Sequence, residues 1–467
     1  MRGTLSGSSG FFDEFANEAT AAADPNPNRA KAQDVADRIA SVLREAREID
    51  GGYAKAVRRL RVDPGVAVTD GMWADVNRDA GVLRKSADDY LGDEIPRGKS
   101  PKEQKKWWDG LSEEQKEQYL SAYPGQVGKL EGVPAAVRDE ANRTYLPMLM
   151  GKLEGSDDEQ ARTKLQGLQE IDKQLRAGSH PPMYLLGVGD EGNGRAIVSY
   201  GNPDASRNVS SYVPGLGTSL DKDFANNDLG RAKQTALDAQ ERDPSSASIV
   251  WLGYDAPQLP DHHPLGNLAV TGTGDAEQGA PAYNRFMDGL GANNHHSDPH
   301  FTAIGHSYGS LTVGQAAQRP GGIPGADDIV LVGSPGTGAE NADQLNVGKG
   351  HVYVGAAEND PVTHLPAKGE VKGGVAGAPF GPLGSYVGAK LGEPDENELW
   401  FGKDPASADF GAKRFKVDAG PRPFVDGQGA TPAHSNYFNP DIDQMSADNI
   451  AAVVAGQSQD VIREVPR

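Results

Sequence analysis

Cysteine is absent from the 467 residues, which excludes disulfides, thiolate nucleophiles and Cys-ligated zinc and leaves the redox compartment open. No run approaches the ~18 consecutive apolar residues that a membrane span needs, so no transmembrane segment is expected. Cations are scarce: 46 Lys+Arg stand against 66 Asp+Glu, for a formal net charge of -20. A surface of that sign repels phosphate backbones and anionic lipid, which argues against nucleic acid and acidic membranes as partners. The first dozen residues hold no apolar core of a secretory signal, so the expectation is a cytoplasmic protein or one exported without a cleavable signal peptide. What is present is ordinary for a folded protein. Hydrophobic residues at 37%, with 59 glycines, bring the apolar share to roughly half, and the length suits two or three domains.

The chain divides by pattern into three regions. Residues 1–27 read as a flexible leader, Gly/Ser-rich and then Ala-rich, ending in Asp24-Pro25-Asn26-Pro27. Residues 28–180 read as a helical N-terminal region. Its apolar stripes recur at i, i+3, i+4 and i+7, first over 32–49, then through 53–60 and 72–87. Ser100-Pro101-Lys102-Glu103 and Ser112-Glu113-Glu114-Gln115 are capping boxes, the first with proline at the opening helical position. Further stripes cover 135–146 and 157–177. After Pro181-Pro182 the period changes to short apolar runs bounded by glycine, which predicts strands at 183–188, 195–200, 208–213, 248–252, 300–304, 328–332, 351–354 and 415–417. Helical patterns fall between them at 222–241, 281–290, 310–318 and 341–345. A first hairpin followed by alternating strands and helices predicts an α/β fold with a mainly parallel sheet over residues 181–467. The Gly/Pro-rich stretch 369–388 reads as a long loop.

Gly305-His306-Ser307-Tyr308-Gly309 is a G-x-S-x-G sequence. Glycine is so frequent here that composition alone yields the pattern about 0.4 times. Its setting gives it meaning, because it follows a predicted strand and precedes a small-residue helix, as a nucleophile elbow does. Ser307 is therefore the candidate nucleophile. A serine hydroxyl needs a base, and the base needs an orienting acid, in the chain order Ser, acid, His for this fold. Of ten histidines, only His351, His364 and His434 follow Ser307. His351 starts a strand, which puts it at the wrong end of the sheet, and His364 is too close in sequence to the best acid. His434 remains as the base. The loop after the seventh predicted strand offers Asp360 as the acid, beside Pro361, with Glu358 as the alternative. The oxyanion donors expected are the backbone N–H of Tyr308 and that of Leu216 or Gly217, in the glycine-rich loop Val213-Pro214-Gly215-Leu216-Gly217-Thr218. That loop lacks the Lys-Ser/Thr of a phosphate-binding P-loop.

With those residues in view, a family resemblance can be stated. Gly305-His306-Ser307-Tyr308-Gly309-Ser310, Val332-Gly333-Ser334-Pro335-Gly336 and His434-Ser435-Asn436-Tyr437-Phe438 resemble an actinobacterial α/β-hydrolase family of unknown function. So do Trp107-Trp108-Asp109-Gly110-Leu111 and Gly128-Lys129-Leu130-Glu131-Gly132-Val133-Pro134, with Arg138-Asp139 and Ala141-Asn142-Arg143. The resemblance implies the α/β-hydrolase fold and the triad Ser307, Asp360 and His434, and it supplies no substrate.

Two histidine-rich stretches, His262-His263 and His295-His296-Ser297-Asp298-Pro299-His300, have metal-ligand chemistry, but the second precedes its strand and so lies away from Ser307. No metal and no cofactor is expected to serve the reaction. The leading expectation is a serine hydrolase acting on a small-molecule or lipid-like ester, with thioester, amide and acyl-transfer chemistry using the same residues. The alternative is a non-catalytic α/β-hydrolase-fold or helical interaction module that binds a protein partner. Trp107, Trp108, Leu111, Tyr119 and Leu120 give residues 100–180 enough apolar area to dock on the α/β domain, and the expectation is that they form one wall of the site.

Overall fold

Two capping boxes open the helical segment. Ser100 Oγ accepts from Glu103 N (3.3 Å) while the Glu103 carboxylate accepts from Ser100 N (2.9 Å), and Ser112 and Gln115 repeat the exchange. In the computed structural model, which describes residues 92–258, 272–365, 367, 397–423 and 431–467, these boxes start α1 (Pro101–Asp109) and α2 (Glu113–Ala122). A short α3 (Pro124–Val127) and the long α4 (Ala135–Glu154) and α5 (Glu159–Ala177) follow. The stripes expected before residue 92 and the loop expected at 369–388 lie outside the described residues.

The period change after Pro182 marks the start of an eight-stranded sheet. Its strands are β1 (Met183–Gly189), β2 (Arg195–Tyr200), β3 (Asn208–Val213), β4 (Ser246–Leu252), β5 (His300–His306), β6 (Ala326–Val332), β7 (Val352–Gly355) and β10 (Lys413–Arg414). They lie in the order β1-β2-β4-β3-β5-β6-β7-β10, and only β2 runs antiparallel to its neighbours. A separate two-residue ribbon pairs β8 (Glu398–Leu399) with β9 (Gly402–Lys403). The last sheet strand comes two residues earlier than the apolar run predicts, because Lys413 and Arg414 make the parallel pairing to β7 while Phe415 bridges to Arg463.

Within the α/β region, α6 (Leu229–Arg242) and α9 (Pro440–Val454) cover one face of the sheet, and α7 (Gly274–Asn293) and α8 (Gly309–Ala317) the other. Strand alternation sorts the core between them. Val209, Val213, Phe301 and Ala303 face α7 and α8, whereas Tyr212 and Ile304 face α6 and α9. α7 starts seven residues before Pro281, where a helix start is predicted, and carries that proline inside it. Its buried Ala276, Ala280, Tyr283, Phe286, Met287 and Leu290 continue one apolar stripe across the proline, and this packing overrides the local break. The architecture is that of the α/β hydrolases.

The helical segment docks on this sheet. Leu146, Leu149, Leu168 and Ile171 join the core formed with Leu185 and Val198 of β1 and β2. Asn142 Nδ2 donates to Leu185 O (3.0 Å), Arg143 to Met183 O (2.8 Å), and Leu185 N to the Asp139 carboxylate (2.6 Å). Trp108, Tyr119 and Tyr123 pack with Ile95, Val127 and Val133 in a smaller core of their own. The segment touches both ends of the sheet: at the carboxyl ends of the strands, Lys152 pairs with Asp190, Lys164 donates to Asp190 O (2.9 Å) in the loop after β1, and Gln174 donates to Ala225 O (2.8 Å) beyond the loop after β3. Glu131 pairs with Arg285 (2.9 Å), and Ala135 N donates to Asp204 (2.6 Å) in the loop before β3. That loop lies at the end of the sheet opposite Ser307, since β3 starts there and runs toward the elbow. Among the described residues, no hydrogen bond or ion pair of the segment reaches Ser307, Asp360 or His434.

Candidate active site

Ser307 occupies the turn between β5 and α8 with φ +55°, the left-handed region that a non-glycine residue adopts only at a cost. The turn is held by Ser307 N donating to Val332 O (3.1 Å) and Ser310 N donating to Ser307 O (3.0 Å). The glycines of the motif are sterically required. A Cβ on Gly305 would stand 2.6 Å from Ser310 Cα, and one on Gly309 would stand 2.1 Å from Val213 O. Strand, turn and helix can pack this tightly only without those side chains.

His434 lies on a short turn of 3-10 helix (Ala433–Ser435), and its Nδ1 is 2.9 Å from Asp360 Oδ2. Because a carboxylate only accepts, Nδ1 carries the proton of this bond, and in the neutral ring the lone pair is then on Nε2. Asp360 is fully buried, just past the carboxyl end of β7. Burial pushes its carboxyl up, but the charge and hydrogen bond of His434, the hydroxyl of Tyr437 and the backbone N–H of Val362 outweigh that and hold it below the usual range. Tyr437 donates to the same Oδ2 (2.7 Å) and accepts from Ala357 N (3.0 Å). His306, the residue before the nucleophile, stacks on His434 with ring centroids 4.6 Å apart, and its Nε2 is 2.8 Å from the His434 carbonyl oxygen. Gly333, at φ +57°, lies under the pair: a Cβ there would be 2.8 Å from His434 Nδ1 and 3.0 Å from Asp360 Oδ2.

The loop after β3 passes directly beside the elbow. A Cβ on Gly215 would meet Ser307 Cβ at 2.6 Å and Tyr308 N at 2.8 Å. Of the two residues expected to offer a donor here, Gly217 is already engaged, giving its N–H to Pro257 O at 2.8 Å. Leu216 and Tyr308 make no such backbone bond among the described residues. The structure brings Asp360, His434 and the Ser307 turn together and leaves Glu358 outside, with an exposed side chain. His364 contacts the Glu358 carbonyl oxygen through Nε2 (3.2 Å), and His351 lies at the far end of the sheet. Sequence reasoning missed His306, Gly333 and Tyr437 as participants. All three fall inside motifs that stand out in the sequence, but nothing in one dimension says that they meet.

At the opposite end, Asp328 on β6 bridges two histidines, with Oδ2 2.8 Å from His300 Nε2 and Oδ1 2.8 Å from His351 Nδ1. His296 turns its Nε2 to the Ala205 carbonyl oxygen (3.1 Å). Among the described residues, no group of three or more His, Cys, Asp and Glu is arranged to hold a metal ion. His262 and His263 lie outside the described residues. Also among the described residues, no helix is long and apolar enough to cross a membrane.

Residues 190–370 match the family described as Alpha/beta hydrolase. The chain is 27% identical over 447 residues to Uncharacterized protein Rv2079 of Mycobacterium tuberculosis, covering 87% of this chain and 63% of that relative. It therefore spans less than two thirds of the relative's length. It is 35% identical over 211 residues to Uncharacterized protein Rv0963c of the same species, covering 43% of this chain and 75% of the relative. Uncharacterized protein Mb0988c of Mycobacterium bovis matches to the same extent. By fold, by this match and by these mycobacterial relatives, the chain belongs to an actinobacterial family of α/β hydrolases.

Proposed function

We propose that the protein is a serine hydrolase, esterase-like or lipase-like, that cleaves an ester through an acyl-enzyme on Ser307. The observation that carries this reading is the bond from His434 Nδ1 to the buried Asp360 carboxylate, on a ring stacked against the residue preceding Ser307. It fixes the tautomer that leaves Nε2 basic. His434 takes the Ser307 proton as Oγ attacks the ester carbonyl carbon, and Asp360 stabilises the imidazolium so formed. The oxyanion is received by the N–H groups of Tyr308 and Leu216, the latter held near by the close approach of Gly215 to the turn. His434 then protonates the leaving alcohol, and later draws a proton from the water that releases the acid and frees Ser307.

A purely protein-binding role has less to recommend it. It gives no reason to keep Ser307 in a strained conformation, and the inner apolar faces of α4 and α5 already pack against β1 and β2. The test is labelling with a fluorophosphonate. Modification confined to Ser307, with loss of p-nitrophenyl ester hydrolysis in proportion, is the expected result; unlabelled protein with no esterase activity would return the binding module to first place.

A further inference from the structure

We propose that His306 is a positioning residue for His434: its Nε2–H, donated to the His434 carbonyl oxygen, holds the turn that carries the base. The proposal rests on the reading of His434 as that base.

His306 ends β5 and is almost fully buried, so its own position is set by the sheet. His434, six residues before the start of α9, belongs to a three-residue turn (Ala433–Ser435) with no strand of its own. A base on such a turn needs an anchor other than the ring nitrogen it uses in catalysis. Asp360 supplies one through Nδ1, and His306 supplies the second through the backbone, at 2.8 Å, with the two rings in stacked contact. The carbonyl accepts only, so His306 Nε2 must carry the proton. The ring is itself wedged in place by Phe438 (centroids 5.8 Å apart, edge-on) and by Tyr212 (6.3 Å), whose hydroxyl donates to Asp228 (2.7 Å).

Charge supports the assignment. Burial, with the nearby His434 and Arg231, drives the His306 imidazolium well below its ordinary range. A neutral His306 can lie face to face with a ring that becomes cationic in each half-reaction; a protonated one would oppose it. The residue before the nucleophile thus ties the His434 turn to the strand that carries Ser307.

The test uses His306→Phe, which keeps an aromatic ring and removes the donor, and His306→Gln, whose amide can donate at similar reach. In the full chain, His306→Phe should lower kcat for a p-nitrophenyl ester about 10- to 100-fold with KM within about twofold, as small misplacements of a catalytic group do. His306→Gln should recover most of that loss. Independently of turnover, the low-field proton resonance of His434 Nδ1–H, assigned by its absence in His434→Gln, should broaden or shift in His306→Phe and persist in His306→Gln. An unchanged resonance in folded His306→Phe overturns the positioning role whether or not Ser307 is the nucleophile. Absence of fluorophosphonate labelling in the parent, with the resonance responding as expected, strikes the catalytic reading alone. If His306→Phe does not fold, the Gln variant decides: loss of both resonance and kcat there overturns the proposal.

Discussion

The two ends of the sheet carry the same chemistry in different settings. At the carboxyl ends of the strands, buried Asp360 holds one histidine, His434, by one ring nitrogen. At the amino ends, buried Asp328 holds two histidines, His300 and His351, one on each carboxylate oxygen. The difference lies in what surrounds each carboxylate. Beside Asp360 are a strained serine, a glycine-lined backbone and a neutral ring against the histidine; at Asp328 each carboxylate oxygen holds one ring. The same pair of residue types thus sits in two backbones, and only the one at Asp360 is packed this closely by glycines, at 215, 305, 309 and 333, against a serine in the left-handed region.

That contrast can be broken first at the serine. Ser307→Ala should take hydrolysis of activated esters to background, roughly 10⁵-fold or more below the parent, with an unchanged circular dichroism spectrum. Activity within tenfold would sink the nucleophile assignment. Next comes the acid: Asp360→Asn should cost on the order of 10⁴ in kcat, the size of the corresponding loss in a serine protease, while Glu358→Gln should stay within about twofold. A reversed ranking in steady-state kinetics would move the role to Glu358. Gly333→Ala should lower kcat by about 10²-fold, because its Cβ intrudes on His434 and Asp360 from a left-handed backbone, and chemical denaturation should register a stability loss of about 1–3 kcal/mol.

The smallest effect belongs to the histidines at Asp328. Burial pulls the His300 imidazolium down, but its bond to Asp328, the charges of Asp328 and Asp327 and the Val454 carbonyl raise it above the ordinary value. A histidine raised in the folded state stabilises the protein fully below its unfolded pKa of about 6.5, and the gain is lost as pH rises through the folded value. His300→Gln should therefore lower stability at pH 5.5 by about 1 kcal/mol, with the deficit shrinking toward pH 9, and leave kcat unchanged. Urea unfolding of parent and variant at the two pH values checks it; a deficit that grows with pH would contradict the assignment.

Much of this was legible in the sequence. The sheet could be read because its strands are short apolar runs cut by glycine, and the elbow because strand, serine and small-residue helix are contiguous. Asp360 and His434 followed from chain order and from which end of a strand each residue adjoins. Contacts between distant segments were not legible. Gly333 is one glycine among 59, and only the pairing of β6 with β7 reveals that it supports the Asp360–His434 pair. The apolar residues of the helical segment say that it packs, but not which polar groups fix it to the sheet; Asp204 at one end and Asp190 at the other are among its partners. Gly217 reads as a donor until Pro257, forty residues on, is found holding its N–H.

The backbone of Ser307 has a thermodynamic corollary. At φ +55° a serine gives up folding free energy that glycine would not, about 1 kcal/mol or somewhat more, partly offset by the greater chain entropy of unfolded glycine. On the proposed chemistry, stability is given up here at a position whose side chain the reaction needs. Ser307→Gly should be inactive and no less stable than the parent, melting at an equal or slightly higher temperature. On this reading, a relative that had lost the reaction would be free to relax at this turn.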